Sequence, residues 1–136
     1  MSRLKFLTMV MLAAAAAACS EGTTTTPTPI TPPVLTDTYS GTLNTNGAAS
    51  YTFTTSQSGD VQATLTALAP NSALLVGLSL GTWNGTSCQI VLANDKATQF
   101  SRIVGTASSA GSFCVRIYDV GNVIDPATYE IQVAHF

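Results

Sequence analysis

Residues 111–133 read GSFCVRIYDVGNVIDPATYEIQV, and their patterning decides the fold class. Phe113, Val115 and Ile117 alternate with Cys114, Arg116 and Tyr118. After a Gly121-Asn122 turn signal, Tyr129, Ile131 and Val133 alternate with Glu130 and Gln132. Successive side chains of a strand point to opposite faces of its sheet, so a period of two over short runs marks half-buried strands. The two runs predict a closing hairpin with one face on a core and the other toward solvent.

The same period extends toward the N-terminus. Tyr51 and Phe53 alternate with Thr52 and Thr54, while Val61, Ala63, Leu65 and Ala67 alternate with Gln62, Thr64 and Thr66. Turn signals separate the runs at Asn46-Gly47, Ser58-Gly59, Pro70-Asn71, Asn84-Gly85, Asn94-Asp95 and Ala110-Gly111. The spacing predicts eight strands at about 38–44, 49–55, 60–68, 73–82, 87–93, 99–107, 112–119 and 127–134. Regular spacing with short connections predicts an all-β domain, a single antiparallel β-sandwich with a jelly-roll-like or related Greek-key arrangement. Ala73 to Leu80 is the most apolar stretch and is expected to be a central strand buried on both faces. Gly77 in its middle is expected to mark a bulge or a close backbone approach.

The first nineteen residues belong to a different pattern. Arg3 and Lys5 precede an apolar run from Phe6 to Ala18, which ends Ala16-Ala17-Ala18-Cys19. This is the layout of a secretory signal peptide. Its apolar run of about 13 residues spans roughly 20 Å as a helix, short of the ~30 Å hydrocarbon core that a permanent span must cross. A cysteine directly after small residues resembles a bacterial lipoprotein signal, although Ala16 stands where Leu is usual. That resemblance implies lipidation at Cys19, which would become the new N-terminus. Ser20 after it is compatible with outer-membrane sorting. Plain cleavage within the alanine run is the alternative. Residues 20–36 form a Thr/Pro-rich linker with Pro27, Pro29, Pro32 and Pro33, too poor in bulky apolar groups to fold by itself. The sandwich domain is expected over residues 37–136, a common single-domain size.

Three bases against seven acids follow the signal, which leaves a net charge of −4. Without a basic patch, nucleic acid is not expected as a partner, nor is electrostatic adhesion to anionic lipid. Cys19, Cys88 and Cys114 are an odd number for an exported chain. Lipidation of Cys19 leaves an even pair, and in an oxidising compartment Cys88 and Cys114 are expected to form a disulfide. A metal pair or a reactive thiol is the competing role, but a zinc shell needs four ligands and His135 is the chain's one histidine. If Phe113, Val115 and Ile117 face the core, Cys114 faces away from it, so the bridge is expected on an outer face or at a sheet edge.

The strand sequence also resembles the bacterial pre-peptidase C-terminal domain, a β-sandwich appended to many secreted hydrolases. The matching residues are Ser40-Gly41-Thr42-Leu43, Tyr51-Thr52-Phe53, Gly59-Asp60-Val61 with Leu65, and then the closing runs 111–118 and 129–133. The chain departs from that pattern in having no acid in Leu74-Leu75-Val76-Gly77-Leu78 and in carrying the cysteine pair. The resemblance implies a non-catalytic accessory module serving secretion, folding or substrate binding.

No catalytic or metal-ligating residues and no cofactor are assigned. His135 lies beside the C-terminus, where fraying is the default, and no nucleophile-elbow motif accompanies it. The acids fall mostly at turns, where they solvate and cap. Asp119, Asn122 and Asp125 are oxygen donors within one loop, but without EF-hand spacing they read as an Asx-rich turn. Trp83 and Asn84 are the candidate ligand-binding residues, since an aromatic beside polar groups can form a stacking platform. The alternative is that Trp83 packs over an end of the sandwich. Asn84-Gly85-Thr86 also matches a glycosylation triplet, taken as coincidence in a chain with a bacterial-type signal.

The expected protein is therefore a lipid-anchored, extracytoplasmic module of the cell envelope, at the outer membrane or cell surface. It would bind a polysaccharide or an envelope protein. The alternative is a structural or assembly component that works through protein–protein contacts, by strand addition at a sheet edge. The intact mass of the mature protein from native membranes should correspond to a chain that begins at Cys19 and carries two or three acyl chains. An unmodified chain that begins elsewhere contradicts the lipoprotein expectation.

Overall fold

A computed structural model describes residues 32–136, together with residues 22 and 26–29 before them. Cys19, the signal-like segment 1–19 and most of the linker lie outside the described residues. All eight strands lie within one compact unit, Thr31–Phe136.

All eight expected strands form: β1 Leu35–Leu43, β2 Ala48–Thr55, β3 Gly59–Ala69, β4 Val76–Trp83, β5 Cys88–Ala97, β6 Arg102–Ala107, β7 Gly111–Tyr118 and β8 Ala127–His135. They make two four-stranded antiparallel sheets, ordered β1-β8-β3-β6 and β2-β7-β4-β5. The chain changes sheet at every connection except β4–β5, which is the one hairpin. The closing hairpin expected from residues 111–133 is thus corrected, because β7 and β8 sit in opposite sheets. Their shared period of two reports one buried face per strand and cannot say whether the two strands pair. Leu65, Leu78, Ile117 and Ile131 are fully enclosed where the inner faces meet.

Three local differences from the sequence expectation have identifiable causes. In β3 the register against β8 shifts between Leu65 and Ala67. The extra residue, Thr66, bonds its hydroxyl to the Glu130 backbone and carboxylate oxygens at 3.2 and 2.8 Å. A bulge reverses the inside–outside alternation, so Leu68 is buried and Ala67 is exposed, the opposite of simple period two. The fourth strand starts at Val76 rather than Ala73, because Asn71 turns the chain by accepting from the Ala73 amide at 2.9 Å. Asn94-Asp95 does not end β5. The Asn94 carboxamide accepts from the Lys96 amide at 3.0 Å inside a bulge, and the chain reverses only at residues 98–101.

β4 is buried along Val76–Gly81 on both faces, as its composition predicts. Val76, Leu78 and Leu80 point into the core. On the outer face the small residues Gly77, Ser79 and Gly81 pair with Tyr118, Arg116 and Cys114 of β7. A side chain at Gly77 would collide with the Tyr118 ring, and one at Gly81 with the Gln89 carbonyl. Small residues on one strand thereby make room for large groups from its neighbours.

Cys88 and Cys114 form a disulfide whose Cα atoms are 5.7 Å apart. They belong to β5 and β7, with β4 between. Strands two apart in a flat sheet are about 9.5 Å apart, so the end of the β4–β5 hairpin folds across β4. The bridge lies on the outer face, where the parity of Cys114 places it, and Gly81 opposite Cys114 leaves the space beneath. Closing 26 residues of chain stabilises the domain by about 3–4 kcal/mol in the chain-entropy treatment. Replacing both cysteines by serine should lower Tm by more than about 10 °C. In calorimetry Gly81→Ala should also destabilise with the disulfide intact, and an unchanged Tm in either variant contradicts this account.

Candidate binding surfaces

The two long sides of the sandwich are finished differently. On the β1/β2 side, Tyr39 and Tyr51 stack with ring centroids 4.7 Å apart, and the Tyr51 and Tyr129 hydroxyls lie 2.7 Å from each other. Tyr39 donates to the Thr52 carbonyl at 3.0 Å. Burial, followed by the charge of Asp37 and the hydrogen bond to it, pushes the Tyr39 phenol up to about 12. Burial and the bond with Tyr51 likewise raise Tyr129. Tyr39 and Tyr129 stay neutral and hydrogen-bonded at ordinary pH, and together with Tyr51 they close that side.

His135 sits at the edge of the same layer. The expectation that it frays is corrected: it pairs with Leu35 in the β1–β8 ladder and is 3% exposed. Its ring lies 5.1 Å from that of Phe53, and Nε2 is 3.0 Å from the Asp37 carboxylate. β8 runs almost to the chain end because β1 begins early enough to pair with it. The histidine is engaged inside the fold rather than presented to a substrate.

The β5/β6 side is open. A groove of about 200 Å³ runs between the edge strands. Phe53, Leu80 and Phe113 form part of its apolar lining, Val91 and Leu92 lie on its β5 side, and Thr106 and Ser108 add hydroxyls. Its existence follows from small residues on the inward face of β6. Gly105 carries no side chain, and a Cβ there would approach Leu92 Cδ1 to 3.1 Å; Ala107 is the next inward position. On the rim of the groove Val91 is 69% exposed and Leu92 39%, while Ile90 and Val104 point outward from opposite sheets. A second bulge, between Leu80/Gly81 of β4 and Leu92/Ile90 of β5, accounts for the emergence of Val91. Sequence reasoning passed over this surface, although Ile90-Val91-Leu92 was its visible signal: three aliphatics in a row without alternation.

Trp83 and Asn84 lie at one end of the hairpin, away from the core. Trp83 is half-buried and pairs with Cys88. The Asn84 carboxamide oxygen accepts from the Thr86 and Ser87 amides at 2.9 and 2.8 Å, so it builds the turn. Its partners are therefore internal to the turn.

Asp119 works in the same way on a larger scale. One carboxylate oxygen accepts from the amides of Gly121, Asn122 and Val123 at 2.8, 2.9 and 3.0 Å. The other accepts from the Asn46 amide at 2.8 Å. The Asn122 side chain donates to the Leu75 carbonyl at 3.2 Å. Three loops at one end of the sandwich are tied through these two residues. Among the described residues no group of three or more His, Cys, Asp or Glu is placed to hold a metal ion.

The amide bonds, that of Asn46 foremost, hold the Asp119 carboxyl below the usual carboxylate range. A lowered folded-state pKa contributes stability that is complete above the unfolded value of about 3.9 and is lost as pH falls through the folded value. Asp119→Ala should therefore melt earlier than the parent by a constant margin from pH 7 to about pH 5. That margin should close below about pH 4. A margin that persists in acid would mean the carboxylate charge is not what ties the loops.

No protein-family model matches this chain and no curated protein matches it, which leaves the geometry of these surfaces to carry the functional conclusion.

Proposed function

We propose that this chain is an exported, membrane-anchored lipoprotein whose sandwich is a non-catalytic interaction module with an apolar protein surface as its partner. The observation that carries the reading is the open β5/β6 side, with its 200 Å³ apolar groove and the exposed Val91 and Leu92 on its rim. An isolated exposed aliphatic residue is ordinary, but a contiguous group around a groove is the signature of an interaction site. A polysaccharide would be better served by several polar groups around an exposed ring. At the Trp83 end the Asn84 oxygen is already occupied within its turn.

The domain is of jelly-roll type in this proposal, supported by the orders β1-β8-β3-β6 and β2-β7-β4-β5, in which the chain crosses between sheets at almost every step. The resemblance to the pre-peptidase C-terminal domain points the same way, to an accessory module. The anchor rests on the Ala-Ala-Ala-Cys19 ending of the signal-like segment. Two or more acyl chains at Cys19 would hold the module stably at a membrane.

A binding screen of the oxidised chain from Ser20 onward, against polysaccharides and solubilised envelope proteins, tests the reading. Saturable retention of a protein is expected, weakened at least tenfold by Val91→Lys and unaffected by Trp83→Ala. Saturable glycan binding that disappears in Trp83→Ala would replace this reading with a carbohydrate-binding one.

A further inference from the structure

We infer that the Cys88–Cys114 disulfide is a redox switch for the β5/β6 groove: the oxidised bridge turns Ile90 out of the groove, and reduction lets Ile90 turn in and fill it. The argument is one of parity along β5. Leu80 of β4 faces the core and pairs with Leu92, which lines the groove. Cys88 stands four positions from Leu92, so an unbroken ladder would put both on the inward face. Cys114, however, lies on the outer face, where it pairs with Gly81. The bridge can form only if β5 changes parity between Leu92 and Cys88. The bulge at Val91 makes that change, so that Gly81 pairs with Ile90 and Trp83 with Cys88. Ile90 is carried along. It stands on the outer face opposite Gly81, 44% exposed, and takes no part in the lining of the groove.

Without the bridge nothing in the ladder requires the bulge. A regular register continued from the Leu80–Leu92 pair sets Gly81 against Val91 and Thr82 against Ile90. Thr82 already lines the groove, and its β7 partner is Phe113 of the same lining. Ile90 would therefore enter the groove beside these two residues. The change returns Val91, 69% exposed and left out of the present pairing, to the ladder. It also takes the Ile90 side chain out of water. Both effects favour the regular register, and the bridge holds β5 away from it. The other end of β5 is undisturbed, because Ala93 and Asn94 keep their partners Ser79 and Leu78, and Tyr118 keeps its bond to Asp95.

The two sulfurs differ in access. Cys88 is half-buried, whereas Cys114 is fully enclosed. The thiolate of a dithiol reductant therefore attacks Sγ of Cys88; the S–S bond breaks, and the Cys114 sulfur leaves with the electron pair and takes up a proton. The second thiol of the reductant then closes its own disulfide and releases Cys88 as a thiol. The protein is reduced to two thiols and the dithiol is oxidised. As a control of binding, the switch rests on the interaction-module reading above, whereas its geometry does not. It would display the open groove only in an oxidising compartment, and keep it filled while the chain is still reduced.

Methyl NOE spectroscopy of the chain from Ser20 onward, labelled at isoleucine and compared before and after reduction with dithiothreitol, tests the inference. Reduction should bring the Ile90 methyl groups into contact with the Phe113 ring, a contact missing from the oxidised chain. The double variant Cys88→Ser, Cys114→Ser should show the same contact without reductant. Removal of Val91 leaves a regular ladder that already carries Cys88 and Ile90 on the outer face. That variant should form the bridge and show no Ile90–Phe113 contact in either state. Ile90 remaining outside in the reduced chain overturns the inference, as does a reduced chain that does not fold. Retention of an envelope protein should weaken about tenfold or more on reduction. Retention that is unchanged although Ile90 has turned inward leaves the switch standing and removes the groove as the contact surface.

Discussion

The rest of the structure depends on one close approach, the passage of the β5 backbone over Gly81 of β4. β5 is an edge strand whose exposed aliphatics give it little reason to stay folded on its sheet. It is held there at one end by the Cys88–Cys114 bridge, which reaches over β4 to the more interior strand β7. That reach is possible because position 81 has no side chain to strike the Gln89 carbonyl. The covalent staple and the glycine act together, since neither the bridge nor the folded-over hairpin fits above a larger residue.

The same logic runs along the outer face of that sheet. Gly77 accepts the Tyr118 ring, and the Tyr118 hydroxyl bonds to the Asp95 carboxylate at the far end of β5. β5 is thus fastened near both ends, by the disulfide at Cys88 and by the phenol at Asp95. Its middle, Ile90 to Leu92, is left to bulge. Burial, with the Asp95 bond next in weight, pushes the Tyr118 phenol up to about 12, so this second fastening stays protonated at ordinary pH. The two sides of the sandwich then contrast clearly. Stacked and hydrogen-bonded tyrosines close the β1/β2 side, whereas Gly105 and Ala107 leave the β5/β6 side open.

Much of the fold was legible in the sequence because period two is a local signal. Alternation marked β2, β3, β7 and β8, a continuous apolar run marked β4 and the spacing of turn signals supplied the rest, while the outward parity of Cys114 placed the disulfide on an outer face. What could not be read was whatever depends on one extra residue or on a distant partner. The bulge at Thr66 exchanges the faces of Ala67 and Leu68, and composition gives no sign of it. The pairing of β8 with β1, which encloses His135, depends on contacts almost a hundred residues apart in the chain. The groove was least legible, since the absence of a side chain at Gly105 matters only once β5 is known to lie across from it. Trp83 and Asn84 drew attention as residue types, but the local hydrogen bonds turn Asn84 inward to its own loop.

The central claim is that the open β5/β6 side is the working surface of this protein. Amide hydrogen exchange of the oxidised chain, compared without and with an envelope protein that it retains, tests it most directly because it locates contact residue by residue. The account predicts added protection in residues 89–93 and 102–106 when that protein is bound, with the β1/β2 side and the Trp83 turn unchanged. Protection that appears instead around Tyr39 and Tyr51 or at the Trp83 turn, or exchange that the bound protein leaves unchanged at residues 89–93, would contradict it.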